Sequence, residues 1–239
     1  MKKAIVIGPS NGWLYAKDIF SLREQEKFFK KTGANAIELC GSKDSRRVDS
    51  LLSSEEFGGF CHISLHLSDY DKSESLHEQV SLIEKIFKRR KPRYCLIHPL
   101  GVPQRYWEAL AAKNIPIVIE NMDKNKNSGH DLKELEGLLQ DFEVGFVLDV
   151  QHAFEHDSTM KYAFDLFQMA RSKLVYFHVS GETENNIHAL VQQSRNCDTI
   201  VSFLGTVFYE IQVPIILEGE YTTPEEVDQE INFLKSELF

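Results

Sequence analysis

The 239-residue chain has little of what would place it outside the ordinary globular class. Its four cysteines, Cys40, Cys61, Cys95 and Cys197, are too few and too scattered for a disulfide framework, and no two form a C-x-x-C pair. Three of them lie in or beside strand-like apolar runs, so buried thiols in a reducing compartment are expected. No apolar stretch approaches the roughly 18 residues of a membrane-spanning helix. The opening MKKAIVIGPSNG carries only a four-residue apolar run, short of the core of an export signal, and the expectation is a cytoplasmic protein with no membrane association. Positive charge is scarce as well, with 27 Lys and Arg against 36 Asp and Glu for a net charge of −9. A surface that acidic repels nucleic-acid phosphates and anionic lipid alike, so neither is an expected partner. There is also no Pro-, Gly- or Ser-rich linker and no break in composition, which leads to one domain over residues 1–239. The oligomeric state is left open.

What is present suffices for a core: 42% of residues are hydrophobic and 26% charged. Eight short apolar runs rich in Ile, Val and Leu recur along the chain. They are Ala4–Ile7, Ala36–Leu39, Ile63–Leu65, Tyr94–Ile97, Ile117–Ile119, Phe146–Leu148, Leu174–Phe177 and Ile215–Leu217. Because they are continuous rather than alternating, they predict strands covered on both faces. Between them come helical spacings. Leu76, Val80, Ile83 and Phe87 share one face of a helix over Ser75–Arg90, and Met160, Phe164 and Phe167 one over Asp157–Arg171. A closing helix starts at Thr222-Thr223-Pro224-Glu225-Glu226, with Thr as cap, Pro at the first helical position and acids at the positive end. Eight strands with intervening helices predict an α/β fold, a single (β/α)8 TIM barrel, with a doubly wound open sheet as the alternative.

Chemistry is concentrated where the strands end. Six runs finish in a residue able to bind a metal: His66, His98, Glu120, Asp149, His178 and Glu218. In a barrel these ends converge on the face where active sites are built, and six residues in the same phase point to one shared site. Any one of them alone reads as a satisfied histidine or a helix cap. Three imidazoles with three carboxylates suit a borderline divalent cation, Zn, Mn, Co or Fe, better than Ca or Mg. His152, three residues after Asp149, and His188, in the loop after the seventh strand, extend the ligand set. Glu38, near the end of the second strand, is a candidate either for substrate binding or for hydrogen-bonding a ligand histidine from outside. Lys124 and Lys126 lie on the correct face to hold an anionic substrate group. The basic run Lys88-Arg89-Arg90-Lys91-Pro92-Arg93 precedes a strand, so it is expected at the opposite face as a solvated helix end. His62, His77, His130 and His156 read as structural or surface residues, and Trp13, Phe154 and Tyr221 as candidates to shape the pocket.

Ile119-Glu120-Asn121 and Leu148-Asp149-Val150-Gln151-His152, supported by His98-Pro99 and Phe177-His178-Val179, make the chain resemble the xylose isomerase-like barrel superfamily. That group includes endonuclease IV of AP endonuclease family 2, sugar-phosphate isomerases and epimerases, and inositol-pathway dehydratases. The resemblance runs from Gly33 to Glu218. It implies a metal held by Glu120, Asp149, His178 and Glu218, with His66, His98, His152 and the neighbourhood of His188 matching the extra ligands of endonuclease IV. The chain departs from that enzyme at Asn186, a neutral residue where an Asp ligand is expected, and at Ala189-Leu190-Val191, which replaces a Gly-rich turn. Two activities on a small-molecule substrate follow. In the first, a metal-dependent isomerase or epimerase, Glu120 and Glu218 exchange protons at carbon beside a carbonyl. The second is phosphoester hydrolysis at a di- or trinuclear centre. A barrel without activity would leave clustered charges repelling one another with no cation between them.

Overall fold

Eight of the apolar runs become parallel strands, described in a computed structural model covering residues 5–41, 44–67 and 69–238. They are β1 (Ile7–Pro9), β2 (Ala36–Cys40), β3 (His62–His66), β4 (Tyr94–Ile97), β5 (Ile117–Glu120), β6 (Gly145–Asp149), β7 (Leu174–Val179) and β8 (Ile215–Leu217). Their hydrogen-bonded order is β1-β8-β7-β6-β5-β4-β3-β2. The remaining seam between β1 and β2 is joined by a parallel bridge from Ser10 to Glu38, with the Asn11 N–H donating to the Glu38 carbonyl at 2.9 Å. That contact makes the sheet a (β/α)8 barrel and rules out the open alternative. Gly8 permits it: a Cβ there would stand 1.8 Å from the Ala36 carbonyl oxygen.

β1 begins later in the chain than its apolar run. The Asn35 side chain accepts from the Ile7 N–H at 2.7 Å and donates to the Ile5 carbonyl at 2.8 Å, taking the place of a ladder partner there. Ala4 lies outside the described residues.

Connections are mostly helical: α1 (Gly12–Tyr15), α2 (Leu22–Phe29), α3 (Ser45–Leu52), α4 (Leu76–Arg90), α5 (Gln104–Ala111), α6 (Leu132–Asp141), α7 (Val150–His156), α8 (Lys161–Ala170), a 3-10 turn at Val191–Gln193, α9 (Cys197–Glu210) and α10 (Pro224–Leu238). α10 starts as its sequence predicts, with Glu226 reaching back to the Thr222 and Thr223 N–H groups while Thr223 Oγ1 accepts from the Glu226 N–H. The helix expected from Asp157 starts only at Lys161, because Met160 sits in the left-handed region at φ 63° and Asp157 holds a tight turn with Thr159. A short helix unforeseen in the sequence, α7, follows β6 directly. No described helix is long and apolar enough to cross a membrane.

Two apolar layers follow from the alternation of side chains along each strand. Ala36, Leu96, Val118, Val147, Tyr176 and Ile216 fill the barrel interior. Ile37, Ile97, Ile119, Leu148 and Phe177, among others, pack outward against the helices.

Two expectations need correction. Only Cys95 of the four thiols is buried; Cys61 is exposed, and Cys40 and Cys197 are partly accessible. Within the basic run, Arg90 is not solvated. It is 9% exposed, and its guanidinium donates to the carbonyls of Ser50, Leu51, Ser53 and Glu55 at 2.6 to 3.0 Å. Those carbonyls belong to the end of α3 and the chain after it, where intrahelical donors run out. Replacing Arg90 with Leu keeps the burial but strands these acceptors. Chemical denaturation is expected to show a loss of about 2–4 kcal/mol, against less than 1 kcal/mol for Arg89→Leu beside it.

Candidate metal centre

The columns that point into the barrel also supply the site. Each inward apolar or small residue is followed two positions later by a polar one: Gly8 by Ser10, Ala36 by Glu38, Ser64 by His66, Leu96 by His98, Val118 by Glu120, Val147 by Asp149, Tyr176 by His178 and Ile216 by Glu218. A ring of polar groups therefore stands on a dry apolar layer at the C-terminal mouth.

The predicted strand-end residues come together. Three groups have ligand atoms lying within 4.8 Å of one another: Glu120, Asp149, His178 and Glu218; His66, His98 and Glu120; and Glu38, His66, His178 and Glu218. The His178 Nδ1 is 2.6 Å from Glu120 Oε1 and 3.5 Å from Glu218 Oε2. His66 Nε2 and His98 Nε2 face each other at 2.9 Å, and His98 Nε2 is 3.4 Å from Glu120 Oε2. Glu120 thus belongs to both of the first two groups.

Local sequence explains how each ligand is held. Asp149 caps α7, its Oδ1 accepting from the His152 N–H at 2.7 Å, and this leaves Oδ2 facing the cluster without a hydrogen-bond partner. Asn121 clamps the Asp149 backbone in both directions, accepting from its N–H at 2.8 Å and donating to its carbonyl at 2.9 Å. Gln151 of the same motif faces elsewhere, bonded to Glu182 and Asn196. His98 Nδ1–H donates to Asp69 at 2.5 Å, a carboxylate not foreseen from the sequence. Its spacing, three residues after His66, mirrors that of His152 after Asp149.

The remaining candidates are placed as follows. His152 donates from Nδ1 to the Asn121 carbonyl at 2.9 Å, which keeps the proton on that nitrogen, and it stands outside the three ligand groups. His188 is outside them too. It rims a cavity of about 310 Å³ that is also lined by Ser10, Trp13, Cys40, His66 and Glu218. Asn186 is engaged within that loop, accepting from the His188 N–H at 2.7 Å and donating to Glu220 at 3.1 Å. Lys124 is exposed, and no contact among the described residues ties it to the cluster; the charge of Lys126 is the one that reaches Asp69. Glu38 is fully buried and is not among the residues lining that cavity. Its Oε1 is 3.0 Å from His178 Nε2 and 3.3 Å from His66 Nδ1. Trp13 and Tyr221 stack edge to face at 5.5 Å beside the mouth, and Phe154 packs into the core.

Burial raises the cost of every charge here, and the neighbours decide which charges survive. Burial works against ionised Glu120, yet His178, His98 and His152 hold its carboxyl well below the usual range. Asp149 goes the other way: burial, then the charges of Glu120 and Glu218, push it up against the pull of His152. For the imidazoles, burial opposes protonation but is outweighed. Asp69 and Glu120 lift His98 to about 10, Asp149 and Glu120 lift His152 to about 9, and Glu218, Glu38 and Glu120 raise His178 well above an ordinary histidine. Crowded carboxylates, the partnerless buried oxygens Glu120 Oε2 and Asp149 Oδ2, and a mixed N/O donor set fit a borderline divalent cation.

No protein-family model matches this chain, and no curated protein matches it. Solved structures do. A D-tagatose 3-epimerase-like protein superposes over 98% of this chain and 97% of its own with a TM-score of 0.68 at 14% identity. A xylose isomerase domain containing protein from Salmonella typhimurium LT2 does so over 100% and 99% with a TM-score of 0.65, also at 14% identity. A probable 2-pyrone-4,6-dicarboxylic acid hydrolase from Acinetobacter baumannii covers 91% of this chain and 84% of its own, with a TM-score of 0.58 at 10% identity. These likenesses are of fold, and the first two agree with the resemblance carried by the strand-end motifs.

The raised histidines set a pH dependence for protein stripped with chelator. Their stabilising contribution is complete below their ordinary value of 6.5 and is lost as pH climbs through about 9 for His152 and about 10 for His98. Raised Asp149 acts in the same direction, because the folded state keeps a proton that the unfolded chain releases. The melting temperature is therefore expected to fall between pH 6.5 and 10. A flat or rising profile in calorimetry contradicts this charge arrangement.

Proposed function

We propose that this chain is a divalent-metal-dependent isomerase or epimerase of a small sugar-like carbonyl compound. The observation that carries the reading is the group Glu120, Asp149, His178 and Glu218, one member of which, Glu218, also lines the cavity at the barrel mouth. A cation held there supplies Lewis-acid polarisation of a bound oxygen. The names of the two structural neighbours most like the motif family, an epimerase-like protein and a xylose isomerase domain protein, point to the same substrate class.

The chain's own residues divide the work by access. Glu218, with its side chain 13% exposed and facing the cavity, is the group that takes and returns a proton at the carbon beside the carbonyl. Glu120, expected from the sequence to share that task, is 1% exposed and packed against His98 and His178, so it holds the centre together. One accessible carboxylate favours proton removal and return on a single face, as in aldose–ketose isomerisation. Ser10 and His188 offer polar contacts to hydroxyls, and Trp13 offers an apolar wall.

Exchange of substrate C–H for deuterium, followed by proton NMR in heavy water over a panel of free and phosphorylated sugars, tests the reading. Glu218→Gln is expected to slow exchange by about 10²–10⁴-fold. Full exchange by that variant removes Glu218 from the role.

A specific observation supports a second reading, phosphoester hydrolysis: Glu120 also belongs to the group His66, His98 and Glu120, so the residues present could hold a second cation, which would help generate a hydroxide for attack. Cation content per chain separates the two. One equivalent favours the isomerase, two or more favour the hydrolase, and none after reconstitution overturns both. Loss of the second equivalent in His66→Ala is expected only under the hydrolase reading.

A further inference from the structure

Glu38 is a buried carboxylate of the barrel mouth that neither reading uses. It belongs to the interior of β2, is 0% exposed, and has each oxygen committed differently. Oε2 accepts from Ser64 Oγ and from Tyr176 OH, both at 2.9 Å. These hydroxyls sit one step below His66 and His178 on their own strands, so the carboxylate is anchored by the residues that precede the two ligands in their inward columns. Oε1 is left near two imidazoles, 3.0 Å from His178 Nε2 and 3.3 Å from His66 Nδ1, and these three buried atoms have no other hydrogen-bond partner and do not meet full hydrogen-bond geometry with one another.

The opposite nitrogens of the same two rings face the candidate ligand groups. His66 presents Nε2 to His98, and His178 presents Nδ1 to Glu120. The two ring centroids lie 5.7 Å apart with their planes inclined at 29°. An imidazole binds a cation through one nitrogen, and the hydrogen bond made by the other decides which.

From this juxtaposition we infer that Glu38 is a positioning residue acting on both overlapping ligand groups at once: its one free oxygen fixes the proton on His66 Nδ1 and on His178 Nε2. Each ring is thereby left with its outer nitrogen available as a donor. A direct ligand role for Glu38 fits less well. Oε2 is already tied to two hydroxyls, which leaves Oε1 alone to join the possible group with His66, His178 and Glu218. The inference rests on the metal-centred reading above but adds that the two groups are mechanically coupled through one atom beneath them.

Zinc competition against a chromophoric chelator, with nitrogen-15 NMR of the zinc-loaded histidines, tests it on the full chain. In wild-type protein the His66 Nδ1–H and His178 Nε2–H signals are expected to be hydrogen-bonded and slow to exchange. In Glu38→Leu both are expected to be lost together, with zinc affinity lowered about 10–100-fold. Glu38→Gln retains an acceptor oxygen without the charge, and is expected to restore both signals and to fall between the two in affinity. Should Glu38→Leu fail to fold, Glu38→Gln and Ser64→Ala carry the test, each with a smaller loss shared by both rings. Unchanged zinc affinity, or loss of the signal from one ring alone, overturns the inference while leaving wild-type zinc binding intact. A wild-type protein that takes up no zinc overturns the metal-centred reading and this inference with it. A purely structural role for Glu38 would lower the melting temperature without moving the two ring signals, and that result also counts against it.

Discussion

Closing eight parallel strands into a barrel forces every second side chain of each strand inward, and the rest of this structure depends on that alternation. One inward level is apolar, formed by Ala36, Leu96, Val118, Val147, Tyr176 and Ile216. The next level toward the mouth is Ser10, Glu38, His66, His98, Glu120, Asp149, His178 and Glu218. Water is excluded from below by the first level and from the sides by the sheet, so the second level has to satisfy its charges internally. Acid and imidazole accordingly pair across the ring at 2.6 to 3.5 Å. Closure itself depends on the absence of a side chain at Gly8, which lets β1 approach β2 and brings Ser10 and Glu38 into register.

Such a ring gains little stability from its pairs alone, since desolvation offsets most of the attraction between buried charges. Its value lies in fixed direction. Asn121 fixes the Asp149 backbone, the N-terminus of α7 fixes one Asp149 oxygen, Asp69 fixes the His98 ring, and Ser64 with Tyr176 fixes Glu38. For Asp149 and His98 the support leaves one donor atom facing the ligand groups, Oδ2 and Nε2 respectively. Preorganisation of that kind is what a cation site needs, because the ligands then have little conformational freedom left to lose on binding. Among the carboxylates of the ring Glu218 is the one that lines the cavity, and access, rather than strand position, separates its proposed role from that of Glu120.

Outside the centre, the differences between expectation and structure share a cause. Arg90 reads as one more cation in a solvated run, yet it is drawn under α3 by carbonyls left without donors where that helix ends. Cys61 stands beside an apolar run but precedes the first residue of β3 and is exposed. The start of α8 is delayed by a left-handed Met160, a conformation that periodicity does not encode. Asp69 lies in a loop with no apolar pattern to give its direction, so its bond to His98 emerges only with the chain folded.

Local residue patterns alone determined the eight strands, the barrel class and the convergence of His66, His98, Glu120, Asp149, His178 and Glu218, because strand length, apolar continuity and the phase of a strand's last residue are all short-range properties. The phase also contained Glu38, two residues after inward Ala36, though one strand's alternation cannot say how deep a residue sits. Tertiary structure decided depth and sharing: that Glu120 belongs to two ligand groups, that Glu218 meets the cavity, that His152 and His188 fall outside the three ligand groups, and that a single oxygen of Glu38 lies between two imidazoles. These are relations among strands far apart in sequence, set by barrel closure and stagger, and no stretch of the chain encodes them locally.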